Sequence, residues 1–583
     1  MISILPIETG KFRTFGWVQD PSNFRSLCNV VAVFDNRAPK HKELTETILP
    51  RLVLESDGRD ELIAAMKSKP LKIKYAHLVG TSFTPRSTSR CNGIVQAAVK
   101  GQGRDFIGDW PADNFVRWAH CLGFIAYDYS DDTFSITKSG LELTKAYTDN
   151  GEISASERDI LVTAMLSYAP AVRVLALLNG EGKHLTKFEI GRQLGFVGEG
   201  GFGSMPQGIL IRSLAGISNS REKNDMRNNW EGASDKYARM IASWLAKLGL
   251  VQKVSKDVTV TVGGTDYTET IGQSYMITAQ GVTALNRALG KSRHARIGKN
   301  ICFEMLATKG SDREYLRTRR ALIIKALSES KSKLEIDVII DSLSAHKIQA
   351  SHEIINDDIQ GLCNIGLDIV ADDGGFLWND VICDFVIPVP TEITQSTVEQ
   401  TKDTLRESIN HISHDYLLLL DIAYDSTQNR LFEMKTLELL TEECGYMGTH
   451  LGGSRKPDGV VYTNTLSDNY GVIIDTKAYS GGYNLPISQA DEMQRYVQEN
   501  QRRDERENPN KWWDNFGEDV RRFYFLFVSG HFIGRYQEQI DRISHITQTR
   551  GAAVEISNLL LFADKVKGDS YSLDYAESAI FHA

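Results

Sequence analysis

In three stretches of the first two thirds of the chain, apolar residues recur at helical spacing and end at a glycine followed by a further apolar run. RWAHCLGFI (117–125) and SWLAKLGLV (243–251) share Trp-x-x-x-Leu-Gly and two apolar residues, and GLCNIGLDI (361–369) is a weaker third version. Each predicts an amphipathic helix with a glycine just past its C-terminus (Gly123, Gly249, Gly366), then a strand. The first two copies also continue alike: FSITKSGLEL (134–143) and YMITAQGVTAL (275–285) share Ile-Thr-x-x-Gly-x-x-Leu. Helix, glycine stop, β-ribbon and a further helix outline a winged helix-turn-helix unit. Three copies predict three mainly α winged-helix modules.

Polar joints break this pattern. TDNGEISAS and LGKSRHARIG contain glycine, and IPVPTEITQSTVEQ carries Pro388 and Pro390. They predict modules over residues 1–148, 149–289 and 290–387, a linker over 388–397 and a last domain over 398–583. In that domain EQTKDTLRESI, RLFEMKTLELL and SQADEMQRYVQENQRR have helical spacing, while FYFLFVSG (523–530) reads as a buried strand. Helices flanking a mixed sheet make an α/β core.

The chemistry concentrates in RKPDGVVYTNTLSDNYGVIIDTKAY (455–479). Two apolar runs, GVVYT and YGVII, flank the turn Leu466-Ser467-Asp468-Asn469, which predicts an antiparallel hairpin. The midpoint of 458 and 475 falls inside that turn, so Asp458 and Asp475 are expected across from each other, with Lys477 on the same face as Asp475. An exposed Asp-x-Lys would be a weak surface ion pair. Here Val472, Ile473 and Ile474 predict a strand buried on both faces, where paired carboxylates are costly without a cation. Two hard oxygen ligands suit Mg²⁺, and a lysine beside the ion can orient or help deprotonate an attacking water. The expected chemistry is metal-dependent phosphodiester hydrolysis.

This P-D…D-x-K pattern resembles the PD-(D/E)xK nuclease superfamily, with Asp458, Asp475 and Lys477 at its signature positions. The surrounding GTHLGGSRKPDG, DTKAYSGGYNLPISQADEMQRYV and FLFVSGHF are similar to the cleavage domain of FokI-type type IIS restriction endonucleases. RTFGWVQ, RWAHCLGF and RNNWEGASDKYARMI extend the resemblance over essentially the whole chain. The resemblance implies an α/β nuclease domain behind three recognition modules. It implies a short asymmetric duplex DNA site, GGATG-like, and cutting of both strands at a fixed distance outside it to leave 5′-phosphate ends. Asp458, Asp475 and the Thr476 carbonyl would hold Mg²⁺, with Lys477 positioning water. Base-contacting positions fall on Gln19, Asp20, Arg86 and Trp110 in the first module and on Asn228, Glu231, Lys236 and Arg239 in the second. The family's Gln-Asn-Pro is Gln19-Asp20-Pro21 here, an acceptor-only carboxylate in place of an amide. Asp491 and Arg495, four apart on a helix, match positions through which such cleavage domains pair as a transient homodimer. A separate methyltransferase would protect the host.

Composition changes this picture little. At 583 residues the chain is too long for one core. The net charge of −9 looks wrong for a DNA binder, but binding depends on patches, and Arg287–Lys299 holds five Lys/Arg and no acid. That run reads equally as a solvated joint or a phosphate contact. Seven scattered cysteines without a Cys-x-x-Cys pair predict reduced thiols and no structural zinc. With no membrane-length apolar run and no signal segment, a cytoplasmic bacterial protein is expected. GEGGFG (198–203) lacks a Walker ending and reads as a turn, so ATP is not expected. His450 reads as a loop-ordering residue rather than a general base. The rival readings are a DNA-binding regulator with a degenerate nuclease fold and a structure-specific DNA nuclease.

Overall fold

The computed structural model describes residues 2–7, 13, 15–83, 90–148, 151–180, 184–262, 264–308, 310–391 and 393–582. After strand β1 (Ile2–Ile7), the first module contributes β2 (Ile73–Lys74), helix α1 (Asp109–Cys121) and the ribbon β3 (Ile125–Asp128) and β4 (Thr133–Ile136). The second holds β5 (His184–Thr186), helices α2 (Gln207–Ala215), α3 (Ser220–Asn229) and α4 (Ala233–Lys247), and the ribbon β6 (Val251–Val262) and β7 (Thr265–Ile277). The third holds α5 (Arg313–Glu329), β8 (Leu334–Glu335), α6 (His352–Asn364), β9 (Ile369–Asp372) and β10 (Gly375–Trp378). In each, the lone strand pairs antiparallel with the second ribbon strand: β2-β4-β3, β5-β7-β6 and β8-β10-β9. The threefold echo in sequence is a threefold winged-helix repeat in space.

The repeated residues explain why. Gly123, Gly249 and Gly366 take φ of +74°, +73° and +102°, and the residue after each donates back into its helix, as Phe124 does to Ala119 and Leu250 to Leu245. Thr137 and Thr278 cap the next helices by accepting from Gly140 and Gly281, and their hydroxyls donate to the carbonyls of Gly123 and Gly249. A Cβ on Gly140 or Gly281 would overlap the carbonyl of Phe124 or Leu250, which is why the Ile-Thr-x-x-Gly pattern needs its glycine. The shared tryptophans also meet. Trp118 and Trp244 stack with centroids 4.8 Å apart and join the first two modules.

The third module ties itself to the second through buried charge. Asp358 on α6 accepts from Arg319 at 2.6 Å and Arg320 at 2.7 Å, and Arg320 also pairs with Glu199. Burial alone would raise the Asp358 pKa, but the two guanidiniums outweigh it and bring it down to about 2. Its contribution to stability is therefore present above the unfolded value of 3.8 and is lost as pH falls toward 2. Asp358→Ala strands two buried guanidiniums and is expected to cost about 3–5 kcal/mol, read as an earlier unfolding midpoint in urea.

Strand β11 (Phe385–Pro390) corrects one expectation. It pairs parallel with β1, Leu5 opposite Pro388, so residues 388–390 are strand and not linker. Prolines two apart turn their donorless nitrogens to the same side, which a two-stranded edge tolerates. The connection is confined to residues 391–396.

Beyond it lie α7 (Thr397–Ser408), α8 (Asn429–Glu438), β12 (Met447–His450), β13 (Gly459–Tyr462), β14 (Tyr470–Lys477), α9 (Ile487–Arg502), β15 (Arg522–Ser529), α10 (Tyr536–Thr547) and β16 (Gly551–Glu555). The sheet runs β12-β13-β14-β15-β16, antiparallel through β14 and parallel beyond: a mixed sheet. Strand β14 is buried on both faces. Val472 and Ile474 join a core that continues into the second module, and Ile473 joins the core around Trp512 and Trp513. All seven cysteines are free thiols, and among the described residues no helix is long and apolar enough to cross a membrane.

Candidate active site and nucleic-acid interface

The hairpin closes in the register its turn predicts. Gly459 pairs with Ile474, so one further step sets Asp458 opposite Asp475. The Thr476 amide and hydroxyl donate to Asp458 Oδ2 at 2.7 and 3.1 Å. A strand residue presents its N–H and C=O to the same edge, so the Thr476 carbonyl opens toward Asp458 as well. Lys477 Nζ lies 2.8 Å from both oxygens of Asp475.

Burial raises the pKa of both aspartates. Glu433 raises Asp458 further, Asp458 does the same to Asp475, and Lys477 opposes both shifts without cancelling them. Burial works against the Lys477 ammonium, yet the two carboxylates hold its pKa well above the ordinary lysine range. Two buried carboxylates that favour protonation are short of positive charge, and a divalent cation supplies it. Among the described residues no three His, Cys, Asp or Glu side chains gather around one point. An ion here would rest on two carboxylates, a carbonyl and water, a donor set that fits Mg²⁺.

His450, at the end of β12, is buried, with Nε2 2.9 Å from Glu433 Oε2 and Nδ1 3.4 Å from Ser213 Oγ on α2. Gly452 packs under its ring at φ +50°, and the Leu451 amide donates to the Asp458 carbonyl at 2.8 Å. It orders the loop that carries Asp458. Glu433 was not singled out by sequence; its only signal is a carboxylate between Phe432 and Met434 on an otherwise buried helix.

The cleavage domain rests on the second and third modules. Trp230, just before α4, lies under the Arg430 guanidinium at 4.7 Å and meets the His450 ring edge-on at 5.6 Å. The Gly200 amide, within GEGGFG, donates to Asp421 at 2.8 Å, and Ser396 donates twice to Asp312 at 2.6 Å. The glycine-rich turn is thus a joint between modules.

The expected reading positions converge from two modules. Gln19 donates through its amide to Asn114, which donates to the Trp110 carbonyl, tying the Gln19 loop to the start of α1. Trp110 is 54% exposed. Burial raises the pKa of the Asp20 carboxyl, and the positive charge of Arg239 in the second module opposes that shift. Lys236 and Arg239 lie one turn apart on α4. Asn228 is on the separate helix α3, and Glu231 lies in the joint between the two. These positions therefore come from two helices meeting at Trp230. Glu231 is mostly buried and accepts from Lys187 at 2.5 Å and from Arg239 at 2.9 and 3.2 Å, so its carboxylate already holds Arg239 in place. Gln19, Glu231 and Lys236 line a cleft of about 500 Å³ whose other wall includes Gln428 and Arg430. Arg86 falls outside the described residues.

Asp491 accepts from Arg542 on α10 at 2.7 Å and Arg495 pairs with Glu492 at 3.2 Å, so the two do not form the intrahelical pair their spacing allows. In the basic run, Arg296 and Lys299 are committed to Asp368 and Asp380 inside the third module.

Family models match four consecutive segments. They are the FokI recognition domain's subdomain 1 over residues 13–146 and subdomain 2 over 157–293, the FokI D3 domain over 306–374 and the FokI cleavage domain over 395–582. The type II restriction enzyme FokI of Planomicrobium okeanokoites is 46% identical over 570 residues, covering 97% of each chain. The type II restriction enzyme StsI of Streptococcus sanguinis is 34% identical over 580 residues, covering 97% of this chain and 94% of its own. The solved structure of FokI superposes with a TM-score of 0.91, and that of FokI bound to DNA with 0.92. Both are 45% identical and cover 98% of this chain and 99% of theirs. With its recognition subdomains, its cleavage domain and this similarity along nearly its whole length, the chain belongs to the FokI family of type II restriction endonucleases.

Proposed function

We propose that this protein binds a short asymmetric site in double-stranded DNA, GGATG-like, and cuts both strands at a fixed distance outside it as a type IIS enzyme. The observation that carries the reading is the placement of Asp458, Asp475 and Lys477 at one end of a buried hairpin, in a different domain from Lys236 and Arg239. Reading and cutting then belong to separate bodies, modules over 1–148, 149–289 and 290–387 and a nuclease domain beyond the connection. In the docked arrangement α2 covers the edge strand β12. Cutting at a distance therefore requires the cleavage domain to leave that surface, breaking the polar contacts of Asp421 and Asp312 and the apolar packing it shares with the second module.

Asp458, Asp475 and the Thr476 carbonyl would hold Mg²⁺, and the ion would supply charge for the phosphate and acidity for water. Thr476 fixes Asp458 through two donors to one carboxylate oxygen. Lys477, beside Asp475, helps position the attacking water. In-line displacement leaves a 5′-phosphate and a 3′-hydroxyl. Host DNA requires protection by a separate methyltransferase, and the enzyme acts in the cytoplasm without ATP.

One cleavage site cuts one strand, so a double-strand break needs two cleavage domains. Asp491 and Arg495 lie on α9, whose opposite side packs beneath the site, and would pair the domains transiently. Asp491→Ala with Arg495→Ala is expected to slow double-strand cleavage roughly tenfold, about 1.4 kcal/mol of pairing, while leaving site binding unchanged. A parent enzyme whose rate is strictly first order, with the double variant unaffected, sinks the dimer.

Footprinting with Ca²⁺, whose looser geometry serves hydrolysis poorly, tests the recognition half. Protection of one discrete duplex sequence is expected. Protection that follows nicks or junctions instead would make the enzyme structure-specific.

A further inference from the structure

Glu231 holds Arg239, and a third residue holds Glu231. Lys187 opens a short helix, Lys187–Gly191, which Thr186 caps by accepting from the Glu189 amide at 3.2 Å. That helix lies hard against the start of α4: a Cβ on Gly191 would come 2.5 Å from Asp235 Oδ1. Asp235 in turn accepts from the Gly232 amide at 2.7 Å and the Met205 amide at 2.9 Å, which fixes the turn carrying Glu231. Lys187 Nζ reaches Glu231 Oε1 at 2.5 Å, the same oxygen that accepts from Arg239 Nε at 2.9 Å. Arg239 Nη2 donates to Oε2 at 3.2 Å, and Nη1 lies 3.5 Å from the Met240 sulfur, a weak acceptor. The Lys187 side chain is 3% exposed and cannot touch DNA, whereas that of Arg239 is 27% exposed.

Two cations on one carboxylate leave this trio with a net positive charge. Burial alone would raise the Glu231 pKa, but Lys187 first, and Arg239 after it, bring it below the usual carboxylate value. We propose that Lys187 is a positioning residue for base reading: it pins Glu231 and offsets its charge, so that Arg239 meets DNA both fixed in place and still cationic. The proposal rests on the reading of bases by Arg239. Without Lys187, Glu231 would neutralise the guanidinium it holds. A neutral pair has little attraction for the acceptors of a guanine edge or for the phosphates beside it.

Fluorescence anisotropy titration of the full chain in Ca²⁺ tests this with two duplexes, one carrying the sequence protected in footprinting and one with that sequence scrambled. Lys187→Met is expected to weaken binding to the first about tenfold and to the second by less than about twofold. A lysine that served only the fold would lower both together. Lys187→Arg keeps the charge and recovers most of the discrimination. Removing Lys187 alone leaves Glu231 buried with one cation and is expected to lower the unfolding midpoint. Lys187→Met is therefore also combined with Glu231→Gln, which takes out both charges. That double variant should discriminate no worse than Glu231→Gln alone, because Lys187 acts through that carboxylate. Lys256→Gln, which removes a cation paired with Glu189 in the same module, leaves the ratio of the two affinities unchanged. If Lys187→Met discriminates like the parent while Arg239→Ala does not, the role of Lys187 is overturned and base reading by Arg239 stands. A double variant that loses about a further tenfold overturns it too. If Arg239→Ala also discriminates like the parent, base reading from α4 is wrong and this inference falls with it.

Discussion

Asp475→Ala is expected to abolish cleavage, by three orders of magnitude or more and so about 4 kcal/mol in the barrier, while site-specific binding stays within about twofold. Asp475 is one of two carboxylates at the head of β14, and both its oxygens face the Lys477 ammonium. Without it the proposed cation loses one of its two anionic ligands, and Lys477 loses the carboxylate that holds it in place. Helix α4, which carries the proposed base-reading residues Lys236 and Arg239, lies in another module, and among the described residues no hydrogen bond links it to Asp475. Asp458→Ala should match it in effect while freeing the Thr476 amide and hydroxyl. Lys477→Ala should likewise bind but not cut. Single-turnover cleavage and gel-shift titration of the same preparations read both halves. An Asp475→Ala enzyme that still cuts above trace rates would falsify the assignment.

Arg239→Ala carries the second large effect, a loss of specific affinity of roughly 10- to 100-fold, about 1–3 kcal/mol, with non-specific binding little changed. Arg239 stands on α4 and is gripped by Glu231 at 2.9 and 3.2 Å. A guanidinium held in this way is pre-oriented for the two acceptors of a guanine edge. Glu231 works mainly by holding it, since its carboxylate is already shared between Arg239 and Lys187. Glu231→Gln should therefore lose nearly as much affinity as Arg239→Ala, and the double variant should lose no more than the larger single loss. Competition binding against an unrelated duplex measures each. Strictly additive losses would mean that Glu231 reads a base of its own.

Much of this was legible because the signals are local. A two-stranded antiparallel register follows from its turn, and so Asp458 and Asp475 could be set opposite each other before any coordinates. The modules were legible because a glycine in the left-handed region and a threonine cap are backbone requirements written at fixed spacing, as Gly123, Thr137, Gly249 and Thr278 show. What stayed hidden depends on distant partners. Nothing near Pro388 announces a strand, because its partner is Leu5 at the other end of the chain. Asn228 and Lys236 read as one helical approach, but Trp230 turns the chain between two helices to seat itself against Arg430 and His450. Glu433 looks like any helix carboxylate until β12 brings His450 to it. The match to FokI gives the family, whereas the contacts of Glu231 and Glu433 come from the packing alone.

In the proposed function one chain reads a duplex site and cuts beside it with a separate, metal-dependent domain. Digesting a plasmid of known sequence with Mg²⁺ and sequencing the ends tests it most directly. The expected ends are 5′-phosphates, all at one constant offset to the same side of one short asymmetric sequence, with no ends when Ca²⁺ replaces Mg²⁺. Ends scattered without a common neighbouring sequence, or lying within the sequence that footprinting protects, would contradict it.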